Sequence, residues 1–260
     1  MKRYYAILVC IILASNIGIA CAQEVECQNV KYEILDGHQV RVMRVTPYRK
    51  MLQTYSGIVY IPDSILVDNN VYYVTDVTDA FRGCKYIKEV RLPSRLTYII
   101  CSAFSSCSSL QHIELPDEIS RIYSMSFYKC SSLQFVKLPA GLQRIGDSAF
   151  DGCTHLRNIE IPQHVATIEE GAFAGCKRLK RVVLPQSVDT IGCFAFGECK
   201  GIKEIYVYAV KPPVLVGDIS SLPVFDGVKK SIPVHIPKGS KPLYTQAPEW
   251  SLFTNYIDDL

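Results

Sequence analysis

Eleven cysteines and five histidines are the side chains of this sequence best suited to chemistry. Six of the cysteines, Cys84, Cys107, Cys130, Cys153, Cys176 and Cys199, recur once every 23 residues. A thiol can act as a nucleophile, a metal ligand or half of a disulfide, and each role needs a partner. A nucleophile needs a base within hydrogen-bond reach. Cys107 and His112 are close enough in sequence to suggest such a pair. A metal needs further ligands at characteristic spacing. No Cys-x-x-Cys occurs and the histidines do not follow the period, so no metal or other cofactor is implied. The signatures Gly-x-Ser-x-Gly, His-Glu-x-x-His, Gly-x-Gly-x-x-Gly and the Gly-Lys-Ser/Thr phosphate loop are absent. Glu169-Glu170 and Asp117-Glu118 fall in turns, where solvation is their ordinary role. The chain is expected to be non-catalytic.

The elements that position the cysteines are the repeats themselves. Five units align without a gap, from Leu92, Leu115, Leu138, Ile161 and Leu184, the last ending at Tyr206. Proline is second in each, an aliphatic residue fifth and isoleucine eighth. A small residue and phenylalanine are twelfth and thirteenth, cysteine sixteenth, leucine or isoleucine nineteenth, and isoleucine or valine twenty-second. A sixth, irregular unit runs from Ile61 to Arg91 and is eight residues longer, with a turn signal at Asp68-Asn69-Asn70. A fixed period of this length marks a solenoid in which each unit is stabilised by its neighbours. The alternation before each proline predicts one short strand per unit, near 111–115 in the first regular one, and proline ends it. Parallel strand spacing then sets a rise of about 5 Å per unit.

Stacked in phase, the six cysteines form an internal column. Their side chains point the same way, so each is read as a small buried thiol and not a bridge. His112 then faces outward while Cys107 faces inward, which separates the suggested nucleophile from its base. Cys101 and Cys193 occupy the tenth position, and a bridge to the column cysteine of the same unit stays open. Cys27 has no evident partner.

Lys2 and Arg3, the apolar run from Tyr4 to Ile19 and the small residues Ala20-Cys21-Ala22 form a secretory signal. Two ends fit it: cleavage after Ala22, or lipidation at Cys21. No later segment is apolar enough to span a bilayer, so the expected location is outside the cytoplasm, secreted or at the cell surface. The 28 basic and 25 acidic side chains nearly cancel, which offers no electrostatic footprint for nucleic acid. Val30–Leu35, Asp36-Gly37 and Gln39–Val45 read as a hairpin and an N-terminal cap. Beyond Val207 the period is lost, although Ile232–Pro237 alternates like a last strand, and Trp250, Leu252, Phe253 and Tyr256 could cover the final coil. The expected organisation is signal 1–22, N-terminal cap 23–56, solenoid 57–206 in six units, and C-terminal cap 207–260.

The repeat resembles the BspA-like leucine-rich repeat family. Leu138-Pro139, Ile145, Ala149-Phe150, Cys153, Leu156 and Ile159 carry the likeness in one unit, and it extends over residues 57–206. The tail, with Lys211-Pro212-Pro213, Val234–Gly239, Tyr244 and Trp250, is similar to the closing segment of such proteins. The implied fold is an α/β-type leucine-rich repeat solenoid with a short parallel sheet, little regular helix and a cap at each end. The resemblance also implies an exported or surface protein, several relatives being adhesins for host proteins or cells.

Residues flanking the twenty-second position should face solvent on the sheet. One column reads Arg91, Glu114, Lys137, Glu160, Val183, Tyr206; the other reads Glu89, His112, Phe135, Asn158, Arg181, Glu204. Alternating charges predict cross-strand pairing and a soluble face. Phe135, Arg181, Val183 and Tyr206, with His112 on the same face, are the candidate protein-binding residues, because exposed aromatic and arginine side chains anchor interfaces. The expected partner is a host or bacterial surface protein. An alternative, a glycan-binding accessory protein, rests on the tyrosines and tryptophan near the C-terminus.

Overall fold

The computed structural model describes residues 11–12, 24–27, 30–35, 37–43, 55–96, 99, 101–216 and 222–260. The predicted lipidation site at Cys21, and all of the signal segment except Ile11–Ile12, lie outside these residues. Ile11–Ile12 is a short strand antiparallel to Glu24–Cys27.

The coils stack in phase. The thirteenth-position rings Phe81, Phe104, Phe127, Phe150, Phe173 and Phe196 lie parallel, with neighbouring centroids 5.1 to 5.3 Å apart and planes within 11°. This spacing matches the rise set by strand separation, and the rings are fully buried. Within each coil the chain turns every three residues. The Phe104 carbonyl accepts from the Cys107 amide at 3.1 Å, and the Cys107 carbonyl from the Leu110 amide at 3.1 Å. These successive turns place phenylalanine, cysteine and leucine, each three residues apart, inside the stack. A residue with positive φ stands on each side of the buried pair, Ser102 and Ser106 in one coil, Ser148 and Gly152 in another. Between coils, the amide of Phe127 donates to Ala149 O at 2.8 Å and that of Phe150 to Ala172 O at 2.7 Å, so the loops satisfy their backbone groups on the neighbouring coil.

The predicted sheet strands form in every unit but Leu138–Glu160, whose residues 157–160 make no strand, so the sheet is divided in two. Ser56–Tyr60, Tyr86–Arg91, His112–Glu114 and Phe135–Lys137 make one four-stranded parallel sheet. Arg181–Leu184, Glu204–Val207, Pro233–Ile236 and Asn255–Asp258 make another. Proline ends the strand and starts a turn, its carbonyl accepting from the fifth-position amide, as Pro139 does from Leu142 at 3.1 Å.

Three expectations need correction. Most regular coils carry a second ladder: Arg121–Ile122, Arg144–Ile145, Thr167–Ile168, Thr190–Gly192 and Val214–Val216 form a five-stranded parallel sheet around the eighth-position isoleucines. Its strands are mostly two residues long, too short for alternation to be visible in sequence. Nor does the stack end at Tyr206. Phe225 lies 5.3 Å from Phe196 at 6°, Val228 follows where cysteine would stand, and Pro233–Ile236 takes the sheet position. This coil is six residues longer than the period, which hides it from a fixed-period reading. Finally, the hairpin Val30–Ile34 and Gln39–Val42 is part of a six-stranded mixed sheet. Gln39–Val42 pairs in parallel with Asn70–Asp76 of the irregular first unit. That unit's extra residues form a hairpin between Ser64–Val67 and Asn70–Asp76, turned by Asp68 and Asn69 with φ of 48° and 62°.

Aromatic residues close both ends of the ring stack. Tyr55 meets Phe81 at 5.2 Å. At the other end Trp250 and Phe253 pack on Phe225 at 5.4 and 5.5 Å, held by the helix Lys241–Gln246 and the short 3-10 turn Trp250–Leu252.

Candidate interaction face

The column cysteines are buried thiols that donate backward along the stack. Cys107 Sγ lies 3.0 Å from Phe81 O, and Cys130 Sγ lies 3.0 Å from Phe104 O. Cys153, Cys176 and Cys199 repeat the bond to Phe127, Phe150 and Phe173 at 3.2, 3.3 and 3.0 Å. Cysteine therefore fills a small apolar site and supplies the one weak donor that the phenylalanine carbonyl can still accept. Burial pushes the Cys130 thiol up to about 12 and holds Cys107, Cys153 and Cys176 well above their ordinary value. These are inert sulfurs, since the thiolate is the reactive form. No disulfide occurs among the described cysteines. Cys101 is exposed while Cys107 is buried, so the open intra-unit bridge is not made. His112 stands exposed on the sheet, apart from Cys107.

The candidate binding residues divide between the two sheets. Phe135 sits in register beside His112 on the first, 49% exposed. Arg181, Val183 and Tyr206 come together on the second. The coil between them holds Asn158 and Glu160 outside any strand, so the five residues are two patches and not one. The expected charge pairing holds only in part. Lys137 approaches Glu114 at 3.9 Å, while Arg91 pairs at 2.9 Å with Glu89 on its own strand.

On the second sheet one column reads Val183, Tyr206, His235, Ile257 in register. Tyr206 and His235 stack at 4.2 Å and 3°. The Arg181 guanidinium lies 5.1 Å above the Tyr206 ring and donates to Glu204 at 2.6 Å. The Tyr206 hydroxyl donates to the other Glu204 oxygen at 3.2 Å. These bonds, the one from Arg181 foremost, hold the Glu204 carboxyl below its ordinary range. His235 Nδ1 meets Asp259 at 3.0 Å. The result is a flat aromatic and aliphatic strip with a fixed arginine beside it. Tyr206 is half-buried, with His235 of the closing segment stacked on its ring and the Arg181 guanidinium over it. His235 and Ile257 were missed because they arrive 29 and then 22 residues on, off the period.

The aromatic rings proposed for sugar stacking are not available. Trp250 and Tyr244 are fully buried, with their polar tips on Pro213 O at 2.9 Å and Ala209 O at 2.6 Å, and Tyr256 bonds to Trp250 O. They close the stack, as large rings with one polar end do when buried. Their burial removes the basis for a glycan-binding role at these rings.

A groove of about 810 Å³ lies between the N-terminal sheet and the Leu-Pro turns, with Arg95 over Tyr73 at 4.4 Å and Glu114, Asp117, Glu118 and Lys137 along it. Neither cysteine nor histidine lines it. Among the described residues no cluster of three metal-ligating side chains occurs, and no helix is long and apolar enough to cross a membrane.

The pattern of the BspA type leucine rich repeat region matches in six copies, over residues 63–180 and 121–210. Among solved structures, a leucine-rich repeat protein from Bacteroides ovatus is 22% identical, covering 80% of this chain and 69% of its own, with a TM-score of 0.50. A leucine rich cell surface protein from Faecalibacterium prausnitzii is 20% identical over 82% of this chain and 70% of its own, at 0.53. The T. pallidum leucine rich repeat protein is 27% identical over 66% of this chain and 87% of its own, at 0.52. No curated protein matches the chain.

Proposed function

Since the chain belongs to the BspA-type leucine-rich repeat family, we propose that it is an exported or surface-held binding module of the adhesin type, which grips a protein through its second sheet. The carrying observation is the strip Val183, Tyr206, His235 and Ile257 with Arg181 fixed against it. Arg181 and Tyr206 are already held by Glu204 and His235, which lowers the ordering cost of binding, and tyrosine and arginine are enriched among the residues that dominate interface energetics. The signal-like N-terminus and the cell-surface relative from Faecalibacterium prausnitzii support export. The partner is a host or bacterial surface protein. Burial of the six column thiols, and the generally non-catalytic character of these repeats, support a role without catalysis.

The test is a purified panel of extracellular-matrix and bacterial surface proteins, measured by biolayer interferometry against the chain. At least one should bind, and Arg181→Ala or Tyr206→Ala should weaken it by about tenfold or more while Phe135→Ala does not. Binding equally sensitive to Phe135→Ala would move the site to the first sheet. A panel with no binder removes the reading.

A further inference from the structure

The repeats contain an internal comparison at the positions just before the sheet. The seventeenth, eighteenth and twentieth residues of a coil point outward between the cysteine turn and the strand. In the first two regular units these are Ser108, Ser109 and Gln111, then Ser131, Ser132 and Gln134. In the third they are Thr154, His155 and Arg157, in the fourth Lys177, Arg178 and Lys180, in the fifth Lys200, Gly201 and Lys203, and Lys229 opens the added coil. The backbone bonds are alike on the neutral and the basic coils. The amide of Gln134 donates to Gln111 O at 2.9 Å, that of Lys180 to Arg157 O at 3.1 Å, and that of Lys203 to Lys180 O at 2.8 Å. The fold therefore accepts serine and glutamine here and does not call for the cations.

Arg157, Lys177, Arg178, Lys180, Lys200, Lys203 and Lys229 are all exposed. Lys200 pairs with Glu198 at 2.6 Å, and the other six have no ion pair among the described residues. Arg157, Lys180 and Lys203 form one in-register column on backbones about 5 Å apart, and like charges stacked in this way cost stability unless something neutralises them. On a chain whose 28 basic and 25 acidic side chains nearly cancel overall, these cations gather in a basic band some 15 Å long or more.

We propose that this band binds an acidic polysaccharide, a linear chain bearing sulfate or carboxylate groups. The side chains decide between partners. Lysine is depleted at protein interface cores, and no apolar anchor stands among these residues, which disfavours a protein. No aromatic ring lies in the band to stack bases, as single-stranded nucleic acid requires. No exposed apolar side chain among them could enter a lipid surface. What remains is recognition of repeated anionic groups by charge, with release of counterions. The band lies beside the strip of the second sheet and does not depend on the protein-binding reading.

The test uses the purified chain on immobilised heparin, polygalacturonate, duplex DNA and anionic phospholipid vesicles, at low salt and at about 0.15 M salt. The triple variant Lys177→Ser/Arg178→Ser/Lys180→Gln installs what the second unit already carries and relieves like-charge repulsion, so it should melt no lower than the parent. Heparin or polygalacturonate should bind the parent, at least about tenfold more weakly in the triple variant, with a salt dependence shallower by about two to three counterions. The reverse triple Ser131→Lys/Ser132→Arg/Gln134→Lys should strengthen binding by lengthening the band. The proposal is overturned if neither polysaccharide binds at low salt, if the triple variant binds as tightly as the parent, or if DNA or vesicles bind as tightly as the polysaccharides. Arg181→Ala and Tyr206→Ala, which test the protein-binding strip, should leave polysaccharide binding intact.

Discussion

The Phe104 and Phe127 coils and the Phe173 and Phe196 coils share one interior and wear different surfaces. Inside, each presents the same phenylalanine, cysteine and isoleucine, with leucine or, at Ile202, isoleucine three residues after the cysteine, at the same separations and with equivalent hydrogen bonds. Outside, the first pair shows serines, glutamines and a sheet of charged residues around Phe135. The second shows lysines and arginines along one edge and an aromatic strip on the sheet. Identical stacking beneath unlike surfaces teaches that packing constrains the inward positions and leaves the outward ones to selection by partners. The place to look for function is where outward residues depart from the neutral pattern of neighbouring coils.

That comparison can be broken most forcefully from within. Phe127→Ala and Phe150→Ala should each cost about 3–5 kcal/mol, since each removes a fully buried ring touching two others. Denaturant midpoints measured side by side should fall together. A cost confined to one coil would mean that the interior is not uniform. Next in size, Cys153→Ala should cost about 1–2 kcal/mol, from a small void and a lost weak bond to Phe127 O. Cys101→Ala, at an exposed site, should cost almost nothing. Alkylation of the native protein followed by peptide mapping should label Cys101 and spare Cys107, Cys130, Cys153, Cys176 and Cys199. Labelling of the column before unfolding would contradict its burial.

The smallest effect sharpens the outer contrast. Glu204 titrates lower in the folded chain than when unfolded, because Arg181 and then Tyr206 donate to its carboxylate. A depressed carboxyl stabilises the fold above the unfolded value of about 4.3. That contribution fades as pH falls through the folded value and is absent below it. The melting difference between the parent and Glu204→Gln should therefore be small near neutrality and shrink to nothing in acid. A difference that grows on acidification would show that the Arg181 bond is not its source. No comparable pH response is expected from Phe135→Ala on the first sheet.

How much of this was legible follows from period. Pro116, Ile122, Phe127, Cys130, Leu133 and Val136 announced a coil, its buried side and its strand. The second ladder at Arg144–Ile145 was not legible, because two residues cannot display an alternation. Phe225 and Val228 were hidden by a longer connection and by valine in the cysteine position. Trp250 was visible as an end cover, yet its complete burial, which ended the sugar-stacking reading, depends on Pro213 and the helix Lys241–Gln246 folding against it. The seven cations of the basic band were in plain sight as residues. They became a surface only once the cysteine and leucine positions on either side of them were known to point inward.

The repeat alone determined the architecture, because a 23-residue period of inward side chains has one economical solution, stacking in phase. Tertiary structure decided which off-period residues join the stack and which outward side chains meet. His235 reaches Tyr206 across a connection six residues longer than the period, while Phe135 and Arg181, both on the period, are parted by a coil that holds Asn158 outside any strand. Local pattern specifies what a residue buries; only the closed path of the backbone specifies what it lies beside.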